Sequence, residues 1–134
     1  MSKPLAIFLG ACFLVSSGLI SATAHAGDAA AGKKVFKKCK SCHTVAKGGK
    51  NTVGPNLWDV VGKAKASTAG FAYSGVLKEK GGDWTYADLD AFLLSPKGFA
   101  KGTKMSFAGL KKTGDRAAVI AYLRSLSDSP KPLP

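Results

Sequence analysis

The 134-residue chain carries 20 basic against 8 acidic residues, a formal net charge of +12, and holds only three cysteines, two histidines and two methionines. That length suits one domain, is short for two, and can bury only a modest core of its own. The basic surplus favours an acidic partner, whether a protein, an anionic membrane surface or nucleic acid. Nucleic acid is set aside because the chain reads as exported and shows no nucleic-acid motif.

Residues 1–26 read as an export signal that is removed. Lys3 supplies the positive start, Leu5 to Ile20 form an apolar stretch, and Ala24-His25-Ala26 gives a small-x-small cleavage pattern. The stretch is shorter than the roughly 20 residues a spanning helix needs, and no stop-transfer charges follow. Stable membrane insertion is therefore not expected, with retention as an uncleaved anchor the competing reading. Cys12 lies in this stretch and leaves with it; Leu9-Gly10-Ala11-Cys12 only faintly resembles a lipoprotein box. The remainder divides into a domain at 27–127 and a proline-rich tail at 128–134, with 19 basic and 8 acidic residues between them.

Asp28 is placed to cap a helix through about Lys40. Gly32, Val35, Phe36 and Cys39 share one face at i, i+3, i+4 and i+7 spacing, and lysines 33, 34, 37, 38 and 40 largely fill the rest. Glycines 48, 49 and 54 with Pro55 make 46–56 a loop, and 62–69 reads as irregular. A short helix is predicted from about Tyr73 to Glu79, ended by Gly81-Gly82. A longer one runs from Thr85 to Leu94, stopped by Pro96. Lys97 to Lys104 reads as loop leading to Met105. The last helix starts near Thr113, taken as its cap, and runs to about Leu126. Val119, Ile120, Tyr122, Leu123 and Leu126 form its buried face. Ser127 to Pro134 is expected to be disordered or extended. With no convincing strand and no repeat, the fold class is all-α with long loops.

The run Cys39-Lys40-Ser41-Cys42-His43 carries the chemistry. Two cysteines three positions apart can form thioethers to one haem, and the adjoining histidine reaches its iron. A Cys-x-x-Cys pair also serves thioredoxin-like redox sites and half of many zinc sites. Zinc would need a second ligand pair, which the chain lacks downstream. A thioredoxin site expects a buried strand before the pair, and none precedes it; a dithiol or disulfide is the remaining competitor.

Beyond residue 26 the chain has no other cysteine or histidine, and one methionine, Met105. A second histidine ligand from the same chain is thus excluded. A lone methionine is ordinarily core filler, but polar Gly102-Thr103-Lys104 precedes this one. Met105 is the candidate sixth ligand, its soft thioether favouring Fe(II). A lysine ligand or an open site stays as an alternative.

The ordered landmarks make the chain resemble the class I cytochromes c, close to mitochondrial and soluble bacterial members. They are the Cys39–His43 run, Gly54-Pro55-Asn56-Leu57, Phe71-Ala72-Tyr73-Ser74, Trp84, Gly102-Thr103-Lys104-Met105, Phe107-Ala108-Gly109-Leu110 and Ile120-Ala121-Tyr122-Leu123. The resemblance spans about Asp28 to Leu126. It implies four to five helices around one covalent haem c and its iron, with Cys39 and Cys42 as tethers and His43 and Met105 as metal ligands. The Pro55 carbonyl would accept the His43 proton. Tyr73 and Trp84 would bind a haem propionate, with Thr103 assisting. Without the resemblance, Trp84 reads as aromatic core. Gly32 and Phe36 would meet Tyr122 where the first and last helices cross.

Four positions depart from the family pattern. Lys63 replaces a common arginine, Leu77 an asparagine, Phe92 a tyrosine and Lys101 a proline. They bear on the potential and the strength of Met105 ligation.

The resemblance further implies a soluble, monomeric periplasmic one-electron carrier rather than an enzyme. Its lysine ring, Lys33, Lys38, Lys97, Lys104, Lys111 and Lys112, with Lys40 nearby, would dock acidic redox partners. Respiratory, photosynthetic or dehydrogenase partners are all compatible. The rival reading is a haem enzyme or a gas- or peroxide-binding protein with an open sixth position. For the lysines, the plainer alternative is a solvated surface that aids solubility.

Overall fold

Asp28 opens the first helix as its sequence requires: its carboxylate accepts from the Ala30 amide at 2.8 Å. In the computed structural model, which describes residues 28–133, helix α1 runs Ala29–Val35 and tightens into a 3₁₀ turn at Phe36–Lys38. The expected export signal lies outside the described residues. Helix α2 spans Gly75–Lys80, α3 Tyr86–Leu94, α4 Pro96–Phe99 and α5 Thr113–Ser125. Among the described residues the only extended pairing is an isolated bridge between Ala64 and Asp83.

The crossing of α1 and α5 frames the molecule. A Cβ on Gly32 would lie 1.9 Å from the Ala118 carbonyl oxygen, so only glycine lets the two backbones approach this closely. Phe36 and Tyr122 pack there with ring centroids 5.4 Å apart. Val119, Ile120 and Leu123 turn inward from α5, while Tyr122 and Leu126 are half-buried at the margin.

Several boundaries differ from expectation. Tyr73 lies before α2, whose cap position is Ser74. Pro96 does stop α3, but it also starts α4, within a stretch read as loop. The ring supplies the preset φ of a first helical residue, and the Ser95 hydroxyl caps the turn at the Gly98 amide. Thr113 is the first residue of α5 and not its cap; Lys112 holds that position, with extended backbone.

The 62–65 segment is irregular but anchored. Gly62 donates to the Trp84 carbonyl, Trp84 to Lys63 and Lys65 to Gly82, each at 2.8 Å. The tail through Leu133 forms no helix or strand, and it is tied down. Tyr86 and Arg124 both donate to the Lys131 carbonyl, and Ser127 pairs with Asp59.

Candidate haem site

Between the α1–α5 pair and the Met105 loop lies a cavity of about 300 Å³, mostly apolar in lining. Cys39, Cys42, His43, Pro55, Tyr73, Trp84, Thr103 and Met105, all eight residues singled out in the sequence, line it. Five separate stretches of chain converge on one space.

The attachment end is built by a tight turn. The amides of Cys42 and His43 both donate to the Cys39 carbonyl at 3.0 Å, which folds the pentapeptide back on itself. Cys39 and Cys42 form no disulfide with each other and are half-buried. Burial, reinforced by Cys42, pushes the Cys39 thiol above its ordinary value, and nearby Lys38 only partly offsets this. Among the described residues no cluster of three or more His, Cys, Asp or Glu side chains offers another metal site, so the zinc reading finds no second ligand pair.

His43 is fixed from two sides. Its Nδ1 lies 2.7 Å from the Pro55 carbonyl oxygen, which can only accept, so Nδ1 carries the proton and Nε2 the lone pair. Burial lowers its pKa, the Pro55 bond partly opposing, which favours the neutral ring that a metal ligand requires. Gly54 lies flat against the imidazole: a Cβ there would sit 2.4 Å from Cε1. Gly54 was noted in the sequence only as a landmark.

The opposite wall is lightly held. Met105 is half-buried, and its amide donates to Thr103 Oγ1 at 3.3 Å. Lys104 Nζ donates to the Ala72 carbonyl at 2.9 Å, which ties this loop to the Phe71–Ser74 segment. Tyr73 accepts the Thr68 amide at its hydroxyl, and Trp84, 7% exposed, packs against Phe92 at 5.0 Å. Lys63, Leu77 and Phe92, three of the four departures, line the cavity as well; Lys101 does not.

Sequence reasoning assigned no role to Ser74. Its hydroxyl oxygen is buried without a hydrogen-bond partner and the residue lines the cavity. An orphaned polar atom in an apolar wall is costly unless a ligand's polar group meets it. Two half-buried thiols, a neutral histidine with a free Nε2, aromatic walls and this hydroxyl together fit a flat apolar macrocycle with a polar edge. They define a helical protein built to hold a haem covalently.

The sequence model of the Cytochrome c family matches residues 29–127. A cytochrome c homolog of Bradyrhizobium diazoefficiens is 56% identical over 104 residues, 77% of this chain and 56% of that protein. A c-type cytochrome of Rhodobacter capsulatus, cyt cy, is 52% identical across 75% of this chain and 50% of its own length. The chain thus spans about half the length of these two relatives, whereas it spans 95% of the cytochrome c of Guizotia abyssinica, which is 50% identical. The solved cytochrome cH from Methylobacterium extorquens superposes with a TM-score of 0.70 at 44% identity, covering 74% of this chain and 99% of that one.

This chain belongs to the cytochrome c family. It has the class I fold and one covalently attached c-type haem with its iron, in a family of electron carriers. Among the described residues no helix is long and apolar enough to cross a membrane.

Proposed function

We propose that this chain is a periplasmic one-electron carrier, monomeric, whose haem iron is held between His43 and Met105 and whose lysines dock acidic redox partners. The observation that carries this reading is the state of His43. Its Nδ1 is committed to the Pro55 carbonyl at 2.7 Å, in a cavity that Met105 also lines. When bound, the haem supplies a one-electron Fe(II)/Fe(III) couple.

The chain's own residues do the rest. Cys39 and Cys42 tether the group, and Pro55 fixes the tautomer of His43. Met105, on the wall that faces it, would hold the iron as a second protein ligand, and two such ligands would leave no position for a substrate. Tyr73, Ser74, Trp84 and Thr103 offer polar groups to the propionates, with Lys63 as a nearby positive charge. The apolar walls exclude water and favour the less charged, reduced state.

The six ring lysines are not equally free. Lys33, Lys97 and Lys112 are exposed. Lys38 lies 3.8 Å from Asp115, while Lys104 and Lys111 donate to the Ala72 and Leu94 carbonyls. Lys38 and Lys104 also line the cavity and so sit where a partner must approach. Their charges steer encounter more than they tighten the complex.

The oxidised spectrum tests the ligation. A weak far-red methionine-to-iron band is expected in the wild type. Met105→Ala should abolish it and admit carbon monoxide or cyanide; an unchanged spectrum would refute the assignment. Electron-transfer rates with acidic partners should fall steeply as ionic strength rises, and a flat dependence with every partner would sink the steering claim.

A further inference from the structure

We propose that Lys65 is a positioning residue for Trp84, acting from behind the cavity wall as a buried positive charge that shifts the cofactor's balance toward its reduced state. This rests on the reading of Trp84 as a cofactor-binding residue.

Lys65 is an unusual lysine in so basic a chain. Its side chain is only 5% exposed, although lysine is among the residues least often buried. Nζ donates to the Gly81 carbonyl at 3.0 Å and to the Asp83 carbonyl at 2.7 Å, and it pairs with the Asp88 carboxylate at 2.7 Å. An ammonium has three protons, and these three oxygens account for all of them. The same Nζ lies 5.4 Å from the centroid of the Trp84 ring, within cation–π range.

The contacts join three pieces of chain: the 62–65 segment, the turn after α2, and the first turn of α3. Trp84 sits at their junction. Its amide donates to Lys63 and its carbonyl accepts from Gly62, both at 2.8 Å, next to the Ala64–Asp83 bridge. Trp84 and Lys63 line the cavity, whereas Lys65 lies behind them. A positive charge against the indole face draws electron density from the ring and makes its N–H a better donor to an anionic group.

The charge also acts at longer range. Iron loses one positive charge on reduction, so a cation behind the wall favours Fe(II), and Asp88, more exposed than Lys65, only partly cancels it. The pair therefore makes opposite predictions for its two members. A merely structural brace would not, because loss of either side would loosen the same wall.

The test uses the holoprotein, with redox titration and the two indole N–H proton resonances as readouts. Trp58, the only other tryptophan, serves as internal reference. Lys65→Met should lower the reduced-to-oxidised ratio at fixed ambient potential about threefold, equivalent to about 28 mV at 59 mV per decade for one electron. It should also move the Trp84 signal and leave that of Trp58 in place. Asp88→Asn should move the ratio the opposite way, and Lys65→Arg should restore it. Shifts of one sign in Lys65→Met and Asp88→Asn, or none in either, overturn the inference. If Lys65→Met fails to retain haem, the sign of Asp88→Asn decides.

Trp84→Phe separates the two layers. An unchanged ratio and unchanged haem retention there remove the reading of Trp84, and the inference falls with it. A changed ratio in Trp84→Phe, with Lys65→Met and Asp88→Asn silent, overturns the role of Lys65 alone.

Discussion

The His43 and Met105 walls of the cavity are built to different standards of rigidity. On the His43 side every few residues are cross-tied. Gly54 donates to the Cys42 carbonyl at 2.7 Å, Thr52 Oγ1 to the same carbonyl at 2.6 Å, and Leu57 to Thr44 at 2.9 Å. Buried Asn56 bridges Thr44, Ala46 and Trp58 through three side-chain bonds. On the Met105 side, residues 104–109 form no helix or turn. They are held at their ends, by Thr103 and Lys104 before and by the Leu110–Leu93 backbone bond after. The difference teaches which of the two proposed ligands would yield first: the histidine is part of a lattice, whereas the methionine rides on a span pinned at two points.

That contrast can be broken most severely at Gly54. A Cβ there meets the imidazole on three atoms between 2.4 and 2.9 Å, and the Nδ1 bond to the Pro55 carbonyl holds the ring where it is. Gly54→Ala should cost about 3 kcal/mol, read as a lower urea midpoint together with poor haem incorporation. A variant as stable as the parent would mean that His43 is not held as described.

Asn56→Ala removes three hydrogen bonds from a buried position and should cost about 2 kcal/mol. The far-red band should persist, because the loss falls on the histidine side. Disappearance of the band before the chain unfolds would contradict the division of labour. The smallest effect is expected from Lys104→Ala, where an exposed lysine gives up one carbonyl. Stability should fall by only about 0.5 kcal/mol, while cyanide should displace Met105 about twofold more readily. Equal cyanide affinity in parent and variant would show that this tether does not hold the loop.

Much of this was legible in the sequence wherever a local rule applied. Asp28 caps its helix as its side chain predicts, and Thr85, expected as the first residue of the next long helix, sits one position before it as its cap, accepting the Asp88 amide at 3.0 Å. Glycines and prolines marked the loops, and the scarcity of histidine and methionine singled out His43 and Met105, with a lysine or an open site as the alternative to the methionine. The misses have physical causes. Pro96 was read only as a helix stop, although the same ring geometry that ends one helix can begin the next. Thr113 lost the cap position by one residue, and its hydroxyl instead accepts from Arg116.

Buried charges were the hardest to see. Arg116, whose side chain is 7% exposed, reaches Asp90 and the carbonyls of Leu110 and Lys111. Its spacing from Val119, Ile120 and Leu123 places it on the inner face of α5, so periodicity could have found it. Lys65 had no such signal. Its oxygens come from residues at 81, 83 and 88, and only the folded chain assembles them. Ser74 stayed hidden for the same reason, since a serine shows its lack of a partner only once its surroundings are built.

The contact between Gly32 and Ala118 has a consequence for how much such a chain can vary in length. It closes a loop that contains most of the described domain, including every long irregular stretch between the first and last helices. Closure entropy grows only logarithmically, each doubling of a flexible loop adding about 0.6 kcal/mol. A few residues inserted at an exposed bend such as Gly48 would hardly burden the helix pair, whereas a single methyl group on Gly32 would. Length in this fold is free to drift; the crossing point is not.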